Sequence, residues 1–162
     1  MSSAPHETKI LLVYFAEESD RIPPKKEEDI NQFNKNRDDR VLSFQVADED
    51  LFLEQVKQSD IIYLHGGHSD KLLKTLKGFP NLGGAFAGKI IAGDSAGANV
   101  LAAAFYSKTI GVSEGLGLIP IKIISHYVEE NKDKLTHIKP ELETLFLPEY
   151  QCRVFDGEPI NL

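Results

Sequence analysis

Apolar runs separated by polar segments recur along this chain. Ile10–Phe15 is continuously apolar, and apolar-rich runs follow at Val41–Val46, Asp60–Leu64, Lys89–Ala92 and Ile119–Ser125. Continuous apolar runs of this length are typical of strands that are buried on both faces, as the strands of a parallel sheet are. The pattern therefore predicts five strands of a central sheet.

Segments with helical character lie between and after these runs. We predict helices from Lys25 to about Asn36, after the capping residue Asp48, over Ser69–Lys77 and from Ala96 to about Tyr106, with a short helical turn over Glu141–Thr144. Strands that alternate with helices imply an α/β fold with a mostly parallel sheet and helices on both faces. Such a fold places its functional residues in the loops beyond the carboxyl ends of the strands.

Two further features complete the predicted architecture. Gly111–Gly117 is predicted as a loop punctuated by glycines, and near the end of the chain Cys152–Phe155 and Pro159-Ile160 flank Asp156-Gly157. Two apolar pieces around an Asp-Gly pair predict a C-terminal β-hairpin. A chain of 162 residues that is 41% apolar is the size of one domain, so we expect a single α/β domain over residues 1–162.

Charge and cysteine content restrict the classes of partner. The net charge of −7 argues against nucleic-acid binding through a general basic surface. Cys152 is the only cysteine, so no intrachain disulfide can form. The first apolar run is too short for a signal or membrane segment. We therefore expect a cytoplasmic protein without a membrane partner.

A serine lies between a predicted strand and a predicted helix. Ser95 stands in Ala92-Gly93-Asp94-Ser95-Ala96-Gly97, where small neighbours permit a sharp strand-to-helix turn that exposes the hydroxyl. The pattern favours Ser95 as a nucleophile. The alternative is that Ser95 or Asp94 is an ordinary helix N-cap.

A nucleophilic serine needs a base, and the chain has five histidines. His126 ends an apolar strand downstream of Ser95, so it is the favoured base. The other histidines are His6 near the N-terminus, His65 and His68 on either side of a glycine pair, and His137 in a charged segment.

The acid that orients the base has three candidates. Glu149 follows Leu147-Pro148 at a predicted strand end, Glu114 lies in the glycine loop, and Asp94 adjoins Ser95. A tight turn would direct the Asp94 side chain away from that of Ser95. From the residues alone, Glu149 and Glu114 both remain open.

Two backbone N–H groups are candidates for an oxyanion hole. Gly67 follows a predicted strand and Ala96 begins a predicted helix, so their N–H groups could point at one spot beside Ser95. The alternative for Gly66-Gly67 is a tight strand-to-helix connection without a catalytic role.

Five pieces of the chain, in order, resemble the family of dipeptidase E and cyanophycinase. They are Asp60–Gly67, Gly93–Asn99, Gly115–Pro120, Ser125–Tyr127 and Leu147–Glu149. That family consists of serine peptidases on a flavodoxin-like sheet related to the class I glutamine amidotransferases. The motifs His65-Gly66-Gly67 and Gly93–Gly97 also resemble hormone-sensitive-lipase-like esterases, but the spacing between them and the short remaining chain do not fit that fold.

The dipeptidase E resemblance implies a role for each matching position. It implies Ser95 as nucleophile, His126 as general base and acid, Glu149 as the orienting carboxylate, and the N–H groups of Gly67 and Ala96 as oxyanion donors. The implied substrate is a small peptide, cleaved through an acyl-enzyme without a cofactor or metal.

The chain departs from the family where the substrate would bind. His68 stands where the family has Asn or Asp, so Gly66 and His68 are expected to contact substrate. An aspartyl dipeptide is the first substrate to test, but no arginine lies between His126 and Glu149, and only a lysine such as Lys122, Lys132 or Lys134 could hold its carboxylate. A partner subunit, for instance in a homodimer, could cover the open sheet edge near the end of the chain.

Two other functions compete with the peptidase. The first is a non-catalytic or regulatory binding domain that keeps the amidotransferase-like fold. The second is a metal site built from His65, His68 and His126, against which stands the lack of an acidic or cysteine ligand at ligand spacing from these histidines.

Overall fold

Strands and helices alternate along most of the chain. The structure is a computed structural model, and it describes residues 7–156. Within these residues the strands are β1 (Glu7–Val13), β2 (Val41–Val46), β3 (Ile61–Leu64), β4 (Ile90–Gly93), β5 (Ala102–Ser107), β6 (Gly111–Glu114), β7 (Ile119–Ser125) and β8 (Thr144–Leu147). The α-helices are α1 (Ile22–Lys35), α2 (Phe52–Gln58), α3 (Ser69–Lys77), α4 (Leu82–Phe86) and α5 (Ala96–Leu101), and Glu129–Asn131 forms a 3₁₀ turn.

The strands pair into two four-stranded sheets, where the sequence predicted one. One sheet has the order β2-β1-β3-β4 and is parallel throughout, and the other has the order β6-β5-β7-β8. In the second sheet only the β5–β6 pair is antiparallel. The prediction of an α/β fold with mostly parallel strands is confirmed.

Strand β1 divides the first sheet into two buried faces. Leu11 and Val13 pack into the larger core, and Ile10 and Leu12 pack into a smaller one on the opposite face. All four side chains are at most 1% exposed. Alternating residues of one strand point to opposite faces, so a strand that is apolar at every position requires cover on both.

Helices supply that cover. Phe52 and Val56 of α2 and Leu72 and Leu76 of α3 pack into the larger core, while α1 packs its apolar side on the smaller one. The prediction of helices on both faces is therefore confirmed.

In the part of the chain that the structure describes, no helix is both long enough and apolar enough to cross a membrane.

The predicted helix from Ala96 to about Tyr106 is wrong in its second half. Helix α5 ends at Leu101, and Ala102–Ser107 forms β5, which pairs with β6 and β7. The run Ala102-Ala103-Ala104 favours a helix by intrinsic propensity. Pairing with β6 and β7 on either side outweighs that preference, and the contact with β7 is invisible to a local pattern.

Other boundaries also differ from prediction. Helix α1 begins at Ile22, and Pro23-Pro24 occupies its first turn, where proline is tolerated because those N–H groups have no partner within the helix. Helix α4 was not predicted. The predicted loop at Gly111–Gly117 begins with β6, and Glu141–Thr144 contains no helix.

The predicted C-terminal hairpin is not formed by the residues that can be described. Cys152–Phe155 is irregular and exposed, because it pairs with no strand among residues 7–156. Its predicted partner, Pro159-Ile160, lies outside the described residues, as does Gly157 of the predicted turn.

Two isoleucines on neighbouring strands test this arrangement of the core. Ile62 of β3 is fully buried, whereas Ile90 of β4 is 64% exposed. Ile62→Ala should lower the free energy of unfolding by about 2–5 kcal/mol because it leaves a cavity in the core. Ile90→Ala should change it by less than about 0.5 kcal/mol. Urea denaturation of both variants measures the difference, and equal losses would contradict the assigned faces.

Candidate active site

The predicted site residues follow the carboxyl ends of adjacent strands. Leu64 at the end of β3 pairs with Gly93 at the end of β4, and Ser125 at the end of β7 pairs with Leu147 at the end of β8. Parallel strands bring their carboxyl ends to the same edge. This pairing places the Gly66-Gly67 loop beside the Ser95 turn, and places His126 beside the segment that carries Glu149.

Ser95 occupies a strained turn between β4 and α5. Its φ is 47° and its ψ is −103°, a conformation that residues with side chains rarely adopt. Hydrogen bonds from Gly97 N–H to Asp94 O (2.7 Å) and from Asn99 N–H to Ser95 O (2.9 Å) hold the turn. The Ser95 side chain makes no capping hydrogen bond to α5, which leaves its hydroxyl available to another partner.

Gly93 and Gly97 make this turn sterically possible. A Cβ on Gly97 would overlap the carbonyl oxygen of Leu64, and a Cβ on Gly93 would lie 2.6 Å from the carbonyl carbon of Gly97. Helix α5 therefore packs directly against the backbone of β3 and β4. The sequence-based expectation of small neighbours around Ser95 has this physical basis.

Ser95, His126 and Glu149 form one hydrogen-bonded row. The His126 Nε2 atom lies 2.7 Å from Ser95 Oγ, and its Nδ1 atom lies 2.5 Å from Glu149 Oε1. With the ring proton on Nδ1, His126 donates to the Glu149 carboxylate and accepts the Ser95 hydroxyl proton. The His126 and Glu149 side chains are 48% and 62% exposed, so the row is open to solvent and to a ligand.

The other two candidate acids lie outside this row. The Glu114 carboxylate pairs with Lys139 Nζ at 3.1 Å. The Asp94 carboxylate lies beside the glycine loop, where its Oδ2 atom would be 3.0 Å from a Cβ on Gly66. Of the three candidates, the structure brings Glu149 to His126.

The Gly66-Gly67 loop lies against the Ser95 turn. A Cβ on Gly66 would be 3.3 Å from Ser95 Cβ. Gly67 has a φ of +126°, and a Cβ there would be 2.6 Å from Ala16 O, so a larger residue would be both strained and crowded. Ala96 is the first residue of α5, and the first N–H groups of a helix have no partner within it. Ala96 thus adjoins Ser95, whereas the glycine loop contacts Ser95 through Gly66, the residue before Gly67.

A buried asparagine connects these segments, and the sequence patterns did not identify it. Asn99 of α5 is 2% exposed. Its Nδ2 donates to Ser69 Oγ (3.2 Å), and its Oδ1 accepts from Ser125 Oγ (2.9 Å). The available signal was a polar residue among the apolar ones of Ala96–Leu101, since a buried amide requires partners.

His65 belongs to the opposite face of the first sheet. It is buried, and its Nδ1 atom lies 2.8 Å from Asp29 Oδ2, beside the rings of Tyr14 and Tyr63. Tyr14 and Tyr63 also donate hydrogen bonds to Asp29. Burial, together with the nearby Asp29 carboxylate, raises the pKa of both tyrosines well above the usual range.

The metal-site alternative does not match the structure. His65 lies against Asp29 on the α1 side, while His126 bonds Ser95 and Glu149. No group of three or more His, Cys, Asp or Glu side chains among residues 7–156 is arranged to hold a metal ion. His68 is exposed at the N-terminus of α3, and its N–H donates to Ala16 O at 2.9 Å.

The three lysines considered for substrate binding each have another partner. Lys122 is buried and donates to Leu135 O at 3.2 Å. Lys132 pairs with Glu129 at 3.1 Å, and the Lys134 ammonium lies over the Tyr106 ring.

Tyr127, next to His126, is partly buried. Its hydroxyl donates to Glu129 Oε2 at 2.6 Å. This hydrogen bond raises the pKa of Tyr127 to about 12. Hydrogen bonds from Tyr127 and Lys132 lower the pKa of Glu129.

Comparison with solved structures supports the predicted flavodoxin-like fold. The crystal structure of a peptidase from an acI-B1 Actinobacterium matches with a TM-score of 0.61 at 23% identity, over 85% of this chain and 65% of that one. A putative peptidase E protein from Listeria monocytogenes EGD-e matches with a TM-score of 0.59 at 18% identity, over 88% of this chain and 79% of that one. This chain thus spans less than two thirds of the first structure.

Sequence comparison identifies the family. No curated protein matches the chain significantly. The model of peptidase family S51, however, matches residues 32–155, which is more than half of the 162 residues and includes Ser95, His126 and Glu149. The protein therefore belongs to peptidase family S51.

Proposed function

We propose that this protein is a serine peptidase that hydrolyses a small peptide through an acyl-enzyme formed on Ser95. The observation that carries the proposal is the row in which His126 Nε2 lies 2.7 Å from Ser95 Oγ while His126 Nδ1 contacts Glu149. A serine hydroxyl becomes a good nucleophile when a base accepts its proton and a third group orients that base. Family membership supports peptide hydrolysis as the reaction.

Acylation begins with the Ser95 hydroxyl. As Oγ attacks the carbonyl carbon of the scissile bond, His126 Nε2 accepts the hydroxyl proton. The imidazolium then donates that proton to the leaving amine, and the C–N bond breaks. Glu149 accepts the Nδ1 hydrogen bond throughout, so it holds the reactive tautomer and stabilises the positive charge on His126.

Deacylation repeats these steps with water. His126 removes a proton from a water molecule, whose oxygen attacks the acyl carbon, and then returns the proton to Ser95 Oγ as the ester bond breaks. The carboxylic acid product leaves, and Ser95 and His126 regain their starting protonation. His126 Nε2 thus carries the Ser95 proton to the leaving amine in the first stage and the water proton to Ser95 Oγ in the second.

Oxyanion stabilisation is assigned to the N–H groups of Gly67 and Ala96. Gly67 follows Gly66, which lies against Ser95, and Ala96 follows Ser95 at the positive end of the α5 dipole. In other serine hydrolases the loss of one such donor costs about 3 kcal/mol of transition-state stabilisation. Gly66 and His68, on the same loop, are proposed to contact the substrate.

A serine-directed probe separates the peptidase from a non-catalytic binding domain. A fluorophosphonate should label the wild-type protein at Ser95, because His126 accepts the hydroxyl proton there. Ser95→Ala should abolish both labelling and dipeptide hydrolysis, whereas Ser113→Ala, which removes the hydroxyl of a partly buried serine on β6, should leave both unchanged. Mass spectrometry locates the label. A folded wild-type protein that is not labelled would favour the binding domain.

The acid can be tested with a matched pair of variants. Glu149→Gln should lower kcat/KM by roughly 10²- to 10⁴-fold, because the amide no longer stabilises the His126 imidazolium. Glu114→Gln should leave kcat/KM unchanged, since Glu114 pairs with Lys139 instead. Initial rates on one dipeptide measure both. The reverse ranking would transfer the role of the acid to Glu114.

Substrate selectivity forms a third test. Aspartyl and alanyl dipeptides with the same second residue should be hydrolysed with kcat/KM values within about tenfold of each other. Their transition-state stabilisation should then differ by no more than about 1.4 kcal/mol. The reason is that Lys122, Lys132 and Lys134 each have another partner. A much larger preference for the aspartyl substrate would show that a cation reaches the bound side chain.

A further inference from the structure

Asn99 joins the three backbone segments that carry the proposed chemistry. Its side chain is 98% buried on α5, one turn after Ser95, and it does not touch the surface from which a peptide would approach. Its own N–H donates to Ser95 O at 2.9 Å. The backbone of Asn99 is therefore part of the strained Ser95 turn.

The side-chain amide reaches the other two segments. Nδ2 donates to Ser69 Oγ at 3.2 Å, and Ser69 stands two residues after Gly67 at the first position of α3. Oδ1 accepts from Ser125 Oγ at 2.9 Å, and Ser125 immediately precedes His126. One side chain thus links the glycine loop, the nucleophile turn and the base.

The chemistry of an amide suits this place. An amide offers both a donor and an acceptor without a net charge, and both are used here within the buried interior. A carboxylate would bring a buried negative charge close to the proposed oxyanion, and an apolar side chain would leave two serine hydroxyls without this partner. Buried polar groups of this kind favour one arrangement of the segments that they join.

The backbone conformations of Ser95 and His126 explain why these segments need a restraint. His126 has a φ of 50°, as Ser95 has one of 47°, so the two residues that exchange the proton both adopt conformations that are unfavourable for residues with side chains. Conformations of that kind persist only where the surroundings hold them. The hydrogen bond from Ser125 to Asn99 fixes the residue that immediately precedes His126.

On the basis of the proposed function, we propose that Asn99 is a positioning residue, which sets the spacing of Gly67, Ser95 and His126 through Ser69 and Ser125. It does not touch the substrate. Its effect is on the geometry in which His126 accepts the serine proton, and displacements of about 1 Å at such a centre cost roughly a hundredfold in rate.

Variants that remove single hydrogen bonds test this role. Ser125→Ala and Asn99→Ala should lower the rate constant of fluorophosphonate labelling, and kcat on a dipeptide, by roughly ten- to a hundredfold. KM should change less than kcat, because Asn99 makes no contact with the substrate. Ser125→Thr keeps the hydroxyl and should restore the rate. Since both alanine variants delete the Ser125–Asn99 bond, the double variant should be no slower than Asn99→Ala.

A control separates positioning from stability. Ser59→Ala removes a buried serine hydroxyl, which donates to Gln55 O at 2.8 Å at the end of α2, away from the site. It should lower the melting temperature about as much as Ser125→Ala does, yet leave the labelling rate unchanged. Ser125→Ala also serves as the principal variant if Asn99→Ala does not fold.

A second readout does not require turnover. The Nδ1 proton resonance of His126, assigned by its loss in His126→Gln, should shift in Ser125→Ala and stay in place in Ser59→Ala. If the wild-type protein is not labelled, the proposed function fails, and this resonance still decides the role of Asn99. If the wild-type protein is labelled and folded Ser125→Ala and Asn99→Ala react within about twofold of it, with an unshifted resonance, the positioning role is overturned while the serine peptidase stands.

Discussion

The close approach of helix α5 to the backbone of β3 and β4 is the constraint on which the site depends. Gly97 packs on the carbonyl of Leu64, and Gly93 packs on Gly97, so neither position has room for a Cβ. The chain can enter the helix only by turning at Ser95, in a conformation that a free chain would avoid. Packing in the core thus maintains the strained backbone conformation of Ser95, and this conformation presents the Ser95 hydroxyl to His126.

The row of Ser95, His126 and Glu149 is open to solvent, whereas Asn99, which connects the segments around it, is buried. His126 and Glu149 are largely exposed, and an isolated ion pair between exposed groups contributes little to stability. Their geometry is instead supported by β7 and β8, whose ends pair in register, and by the buried contacts of Asn99. This division is physically reasonable, because a site must be open to its ligand while the groups that fix it are shielded from water.

Local patterns predicted what local interactions determine. Such patterns predicted β2 and β7 with the bounds that the structure has and β1, β3 and β4 to within three residues at either end, and they indicated the turn at Ser95 from its small neighbours. They failed at Ala102–Ser107, which is a strand only because β6 and β7 lie on either side. The choice between Glu114 and Glu149 was open for the same reason: it depends on β8 pairing beside β7, a contact between distant parts of the chain.

The loop after β3 shows how one short segment serves two faces of the sheet. His65 points to the α1 side, where Asp29 lies 2.8 Å from its ring, and the next two residues lie against the Ser95 turn and the backbone of Ala16. The buried His65 side chain and the glycines that allow close approach are adjacent in sequence, so contacts on both faces restrain the same short loop. A loop held in this way from the opposite face can present its backbone N–H groups at a fixed position, and that is the property required of a preorganised oxyanion donor.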